Sequence, residues 1–425
     1  MHIIHISEFY PPNIRGGGEI SSSIIHNEMS SEHRVTILTS KVGMPPTSEN
    51  LKVHPILWPF FPLLDRQSGI VKYIFGSLII FPILNAIIVY KFLLKSSVDL
   101  IEIETNTPLW FPTFLLCSLL NKATVVSIRD SNLICVNGST IGSCQNENLA
   151  DHNCLFELFK STNQWSKAVE LFRPIFAVLK FVIFFLYRSP FIAAINFKRN
   201  AIVATPSNYL AKQLLRLGLQ REKIIHIANP LSIVSKTKAK NMRLKQFIFA
   251  GRLEREKGIY DAIEAFYQFS LSNKLYQFLI YGDGTETDNV KKYIRKLNCK
   301  ILMKGRSDQQ SILTQCSKSA AIIAPSRWPE PFGRFYLDSI TSQTPLITTK
   351  SGELKSLVCH LKNGILVDTG STSQLCEAMQ LIATKPYVST EIRMNLMNDA
   401  RKYQPSNLTK QRVAMYKKII SINEN

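Results

Sequence analysis

Short β-branched runs alternate with longer amphipathic stretches along the whole 425-residue chain. HIIHIS (2–7), RVTILTS (34–40), DLIEIET (99–105), KATVVSIRD (122–130), AIVATP (201–206) and KIIHIANP (223–230) read as strands in the first half. QFIFAG, QFLIYGDG, KILMKG, AAIIAPS, PLITTK and GILVD repeat the rhythm in the second. Helical spacing falls between them, for example over residues 19–31. Successive βα units build parallel sheets, so the pattern predicts two doubly wound α/β domains in tandem. SIVSKTKAKNMRLK (232–245) is polar, basic and aperiodic, which predicts a linker. The expected boundaries are a first domain over 1–232, a linker over 233–245, a second domain over 246–405 and a final segment over 406–425. In that last segment Leu408, Val413, Tyr416 and Ile420 fall at helical spacing.

Two apolar runs change the picture. YIFGSLIIFPILNAIIVY (73–90) is 18 residues without a formal charge, the lower edge of a spanning helix. Gly76, Pro82 and Asn85 interrupt it, and Lys180 interrupts PIFAVLKFVIFFLY (174–187). A buried core helix, a helix at the bilayer interface and a true span stay open. HPILWPFFPLLDRQSG (54–69) reads as an apolar loop rather than a helix.

An apolar content of 45% implies a packed protein, and the net charge is +20. Residues 1–235 hold 21 Lys and Arg against 15 Asp and Glu; residues 236–425 hold 30 against 16. The basic excess therefore lies mostly in the second half. It implies an anionic ligand or surface there, or simply a solvated basic exterior. The basic residues form no nucleic-acid motif, so no nucleic acid partner is expected. The start of the chain lacks a basic n-region, and eight cysteines without dense spacing fit a reducing cytoplasm. Cys135, Cys144 and Cys154, with His152, fall in an expected insertion at about 131–160, but lack the close Cys pair of a zinc site.

Three loops carry candidate chemistry, each just past a strand. GRLEREKG (251–258) puts Arg252, Arg255 and Lys257 before a helix that the apolar positions Ala262, Ile263, Phe266 and Phe269 predict from about Ile259. A helix N-terminus is the wrong end for cations, unless a phosphate or diphosphate completes the site. In PSRWPEPFGRFYLDSI (325–340), Pro329 and Pro331 bracket Glu330 and hold it extended. With a helix from about Phe332, Asp338 would lie two turns in. Two carboxylates at a strand end can accept hydrogen bonds from sugar and ribose hydroxyls. FYPPNIRGGGEI offers Gly16, Gly17 and Gly18, whose backbone can approach a phosphate closely; alone this is a weak signal.

Together these features resemble family 4 glycosyltransferases over essentially the whole chain. The resembling blocks are the GGGE loop, GRLEREKG, YGDGTE (281–286), APSRWPEPFGRFYLD, NGILVD (363–368), and ATPSNYLAKQLLRLG followed by IANP. The resemblance implies a GT-B fold: two Rossmann-like domains facing each other across a cleft, with the C-terminal helix crossing back to the first. It implies a retaining enzyme that moves a sugar from a nucleotide-diphosphate sugar to a hydroxyl acceptor. Arg252 and Lys257 would bind the diphosphate and stabilise the leaving group, and Glu330 would hold a sugar hydroxyl. Backbone around Phe332 and Gly333 would contact sugar and phosphate, Asp338 the ribose, and Gly282, Asp283 and Gly284 the nucleotide. No cofactor or metal is then required, since fixed cations meet the departing charge. The chain has no Asp-x-Asp, and Glu102 and Glu104 would share one face of a strand, lining the cleft.

Two departures stand out. Asp338 replaces the family's usual Glu, and Arg129-Asp130 stands where many members have His-Asp. Arg cannot act as a base. Asp130 or the donor phosphate would then take the acceptor proton, with Arg129 on an anion, or the chain binds nucleotide sugars without chemistry. A lipid-linked saccharide or cell-surface polysaccharide precursor is the expected acceptor, met in the cytoplasm at the inner membrane face through peripheral contact. A basic module for anionic surfaces is a further alternative.

Overall fold

The computed structural model describes residues 1–12, 14, 16–40, 50–58, 81–104, 110–131, 133–134, 173–232 and 244–424. The cysteines and His152 of the expected insertion, residues 59–80 and most of the expected linker lie outside them. The chain divides into two compact units, Met1–Ala228 with Pro405–Asn425, and Asn229–Gln404. Residues 229–232 belong with the second unit by their bonds. The Leu231 N–H donates to the Tyr403 carbonyl at 2.9 Å, and Arg334 donates to the Ser232 hydroxyl at 2.6 Å.

Among the described residues the first unit holds seven strands, β1 (His2–Ile6), β2 (Arg34–Ser40), β3 (Leu51–Leu57), β4 (Leu100–Glu104), β5 (Ala123–Ser127), β6 (Ala201–Thr205) and β7 (Ile224–His226). They form one parallel sheet in the order 3-2-1-4-5-6-7. The direction of growth reverses between β1 and β4, the switch point where such sheets bind ligands. Strand β3 departs from the expectation of a loop at residues 54–57. Its Pro55 spoils the strand signal, yet β3 is an edge strand, where a missing N–H is tolerated.

Alternation along these strands sorts the side chains into two cores. Ile4, Ile6, Ile101, Ile103, Val126 and Val203 face one way. They pack on α2 (Phe81–Leu94), α3 (Trp110–Leu119) and α4 (Arg173–Phe197), through Val89 and Leu93, Phe114 and Cys117, and Phe191 and Ile195 respectively. Ile3, Val35, Ile37, Leu100 and Val125 face the other way, onto α1 (Gly17–Met29) and the final helix. The first unit also holds α5 (Asn208–Arg216), whose N-cap Ser207 accepts from the Leu210 N–H. Among the described residues no helix is long and apolar enough to cross a membrane.

The second unit is a parallel sheet of β8 (Gln246–Ala250), β9 (Gln277–Tyr281), β10 (Ile301–Gly305), β11 (Ala321–Ala324), β12 (Leu346–Thr349) and β13 (Ile365–Val367), ordered 10-9-8-11-12-13. Its helices are α6 (Ile259–Ser272), α7 (Thr287–Ile294), α8 (Gln309–Lys318), α9 (Arg334–Ser342), α10 (Leu354–Leu357), α11 (Thr372–Thr384) and α12 (Pro386–Asp399). Helix α6 starts where its apolar spacing places it, and Ala262, Ile263, Phe266 and Phe269 are all buried. Here the switch point lies between β8 and β11. The last helix, α13 (Pro405–Glu424), packs on α1 of the first unit through Leu408, Met415, Tyr416 and Ile419.

Candidate functional site

In the second unit GRLEREKG follows β8 and PSRWPEPFGR follows β11, the two strands flanking the switch point. Residues Arg255–Lys257 form a 3-10 turn, and Gly258 then takes a left-handed φ of +71° to start α6. A side chain there is excluded twice: a Cβ would fall 1.9 Å from the Pro325 carbonyl oxygen. That close approach locks the two loops together. The Glu256 carbonyl accepts from the N–H groups of Arg327 (2.8 Å) and Trp328 (3.2 Å), and Arg327 clasps Asp261 at 2.6 and 2.7 Å.

The lock brings Lys257 and Glu330 together, with Lys257 Nζ 2.7 Å from Glu330 Oε1. Ser326 donates to the same oxygen at 2.8 Å, and the ammonium sits 4.9 Å from the centre of the Trp328 ring. Glu330 is buried, while its lysine is partly exposed. Arg252 is exposed on the same loop and makes no ion pair among the described residues. Arg255, by contrast, is taken by Glu286 at 2.9 Å. The site thus presents one unpaired cation and one cation on a buried carboxylate, above the start of α6.

The other expected donor-binding residues of this unit divide. Gly282 and Gly284 back onto the first loop: the Leu253 N–H donates to the Asp283 carbonyl and Gly251 N–H to that of Tyr281. The Asp283 carboxylate is held by Thr287 (2.6 Å) and the Gly284 N–H (2.8 Å), with Arg306 3.5 Å away. Phe332 turns its ring inward against Tyr403, so only its backbone is free for a ligand. Gly333 caps α9, which begins at Arg334 and not at Phe332. Asp338 is therefore the fifth helical residue, little more than one turn in. Its carboxylate accepts from Gln309 at 2.7 Å, and no hydrogen bond or ion pair joins it to Lys257 or Glu330. Burial pushes its pKa up to about 6, against a smaller lowering by Arg334 and Gln309.

That shift has a sign. A carboxyl with a raised folded pKa stabilises the fold below its ordinary value and loses this contribution as pH rises through 6. Asp338→Asn is isosteric, keeps an acceptor for Gln309 and cannot ionise. It is expected to melt higher than the parent at pH 8 and within a degree or so of it at pH 4; thermal melts across that range check it.

Sequence reasoning missed Ser326, Trp328, Gln309 and Gly352. The last abuts the Glu330 backbone, where an added Cβ would lie 2.3 Å from the carbonyl oxygen. Ser326 and Trp328 stood in the same motif as Glu330, but nothing in one dimension says which side chains of a loop turn inward.

In the first unit Gly16 precedes α1 and Gly17 and Gly18 open it; the Gly16 N–H donates to Glu19 Oε2 at 2.9 Å. Arg129 lies just past β5, its Cδ 3.5 Å from where a Cβ on Gly18 would stand, with partly buried Asp130 beside it in sequence. The Arg129 Nε donates to Glu104 Oε1 at 3.1 Å. Glu102 and Glu104 do share a strand face, but they are buried beneath α1 and α13 rather than lining an open surface. Glu102 is bound by Arg412 and Ser127, and by Tyr416 at 2.6 Å, while Ser22 donates to Glu104. Burial alone would raise the Glu102 carboxyl; Arg412 and the imidazoles of His26 and His5 hold it well below the usual range. His5, His26 and Glu102 are the one group of three among the described residues with metal-ligand spacing. Arg412 already neutralises that carboxylate, so the donor set does not suit a cation.

Residues 233–403 match the family model for glycosyl transferases group 1. A glycogen synthase of Mycobacterium tuberculosis is 28% identical over 143 residues, 33% of this chain and 34% of that protein. The chain thus covers about a third of that relative's length. Sucrose-phosphate synthase from Thermosynechococcus elongatus superposes with a TM-score of 0.67 at 15% identity, over 99% of this chain and 100% of the other. Anabaena HepE, crystallised with UDP and glucose, gives 0.63 at 15% identity, over 98% and 99%. Residues 233–403, most of the second unit, thus resemble a group 1 glycosyl transferase domain, and the chain as a whole has the two-sheet GT-B fold.

Proposed function

We propose that this chain is a retaining glycosyltransferase of the family 4 type, moving a hexose from a nucleotide-diphosphate sugar to a hydroxyl. The observation that carries the reading is the pairing of Lys257 with buried Glu330 at the β8–β11 switch point, with Arg252 unpaired beside it. Breaking a glycosyl–phosphate bond leaves negative charge on the departing diphosphate. Cations fixed at a helix start meet that charge without reorganising, which supplies the catalysis without a metal. Glu330 accepts from a sugar hydroxyl while Ser326 and Lys257 hold its carboxylate still. Asp338 is the residue for the ribose, and its carboxylate takes up that role with Gln309 as a competing partner. HepE is described with UDP and glucose, which supports a uridine nucleotide.

The acceptor proton passes to the donor phosphate or to Asp130, and Arg129 steers an anion. The acceptor we favour is a lipid-linked saccharide or polysaccharide precursor, met at a membrane surface. A second reading, a nucleotide-sugar binder without turnover, draws on Arg129, which cannot serve as a base and is tied to Glu104.

Thermal melts with UDP-, GDP- and ADP-sugars test the donor site. A ligand at ~100 times its dissociation constant should add about 2.7 kcal/mol. The expected result is a raised Tm with one nucleotide class, lost in Arg252→Ala and Lys257→Ala. No shift with any donor would sink the proposal, and a shift without sugar transfer or hydrolysis would favour the binder.

A further inference from the structure

The two helical layers of the first unit differ on their outer sides. Helix α13, in the layer with α1, exposes Lys410, Gln411, Lys417, Lys418 and Ser421, as a solvated surface should. The layer of α2, α3 and α4 does not. Helix α2 buries Ala86, Val89 and Leu93 and exposes Ile83, Leu84, Ile87 and Leu94 on the opposite side. Helix α3 exposes Leu115 at 42% and Leu119 at 71%, one turn apart. On α4, Val178, Val182 and Leu186 repeat at four-residue spacing, all exposed. The three helices share one core, and Trp110, Phe111 and Phe114 of α3 meet Phe191 and Tyr187 of α4 ring to ring.

Charge follows the same line. No Asp or Glu occurs in residues 81–98, 110–122 or 173–200. Exposed Lys91, Lys95 and Arg199 form no ion pair among the described residues. Lys95, Lys122 and Arg199 follow the C-terminal ends of α2, α3 and α4 and precede β4, β5 and β6, which are neighbours in the sheet. They therefore lie along one rim. Helix dipoles explain cations at helix C-termini, but not the aliphatic stripes or the missing acids. Exposed aliphatic side chains repeated on three helices that share one core mark an interaction site. The rim's acid next to these cations is Asp99, whose carboxylate is held by the His2 N–H at 2.7 Å. A rim with this cationic excess suits an anionic lipid surface, with aliphatic side chains entering the acyl boundary and lysines meeting headgroup phosphates.

We infer that the outer face of α2, α3 and α4 docks on an anionic bilayer, without spanning it. The inference deepens the membrane-side acceptor reading above and rests on it for its purpose. The test is co-sedimentation of the full chain with vesicles of phosphatidylcholine alone and with about one third phosphatidylglycerol. Leu84→Gln and Ile87→Gln are compared with Leu271→Gln, a control on an exposed leucine of the second unit. The expected result is at least about tenfold stronger partition onto the anionic vesicles, weakened by high salt. Both face variants should lose about tenfold, the control nothing, and the Tm should stay unchanged. Donor-induced melting shifts should also be unaffected, which separates this result from the fate of the donor site. Wild-type protein left in the supernatant, or face variants that bind like wild type, would overturn the inference. So would a Tm lowered by several degrees in the face variants, which would mean that the chain itself covers the face. A concentration-dependent dimer abolished by the same variants would assign the face to a second copy instead.

Discussion

Lys257→Ala is expected to lower kcat/KM for sugar transfer by about 10²–10³-fold, on the order of 3–4 kcal/mol of transition-state stabilisation. The figure is that for losing one preorganised group aimed at developing charge. Lys257 has a second task, since its ammonium lies 2.7 Å from the buried Glu330 carboxylate. Its removal leaves Ser326 as the remaining side-chain partner of Oε1. Some of the loss could then arise from a displaced Glu330 rather than from a missing cation. Lys257→Met with Glu330→Gln removes both charges and separates the two contributions. A double variant as slow as the single one assigns the loss to chemistry. Recovery of most of the rate would make the pair a structural clasp and leave Arg252 alone on the diphosphate. Initial rates with donor varied, alongside melts of each variant, decide the matter.

Arg412→Ala is expected to cost about 3–5 kcal/mol of stability, because it strands Glu102 as a buried, unpaired charge. Arg412 and Glu102 are both almost fully buried, and they are the ion pair that fastens α13 to β4. Glu102→Gln with Arg412→Met should recover most of that cost, since matched neutral groups need no compensation. Urea unfolding of the three proteins measures it. The same pair makes the first unit acid-sensitive. The Glu102 and Glu104 carboxyls lie below the ordinary range in the fold. Burial, with His5 beside it, lowers the His26 imidazole to about 4. All three shifts are depressions, so each contributes stability above the unfolded pKa that fades as pH falls. The loss runs from about 6.5 down through 4, and His26→Phe should flatten its upper part.

The βα rhythm was legible because each buried parallel strand is a run of β-branched residues, and twelve of the thirteen strands stood out that way. Strand β3 did not, for Pro55 and the alternating Lys52 and His54 mark an edge. The loops bearing Arg252, Lys257 and Glu330 were legible as charge placed against helix-dipole logic. Their mutual geometry was not, because it depends on Gly258 fitting under Pro325, sixty-seven residues away in sequence. The start of α9 was misplaced by two residues, since Gly333 delays the helix with a left-handed turn. Glu102 and Glu104 were expected to line the cleft because no local signal announces a partner some three hundred residues downstream.

That distance in sequence sets an order of assembly. Strands β1 to β7 leave the ribosome first, and the whole second unit follows before residue 412 is made. Until then His5, Glu102 and Glu104 of the first sheet, with His26 of α1, lack the cover of α13. The second unit, all of whose strands lie between residues 246 and 367, can close on itself in the meantime. The unit translated first is thus the unit completed last, the reverse of the usual N-to-C order of domain folding. A released chain ending at residue 404 would hold all of the second unit and a first unit still open along α1.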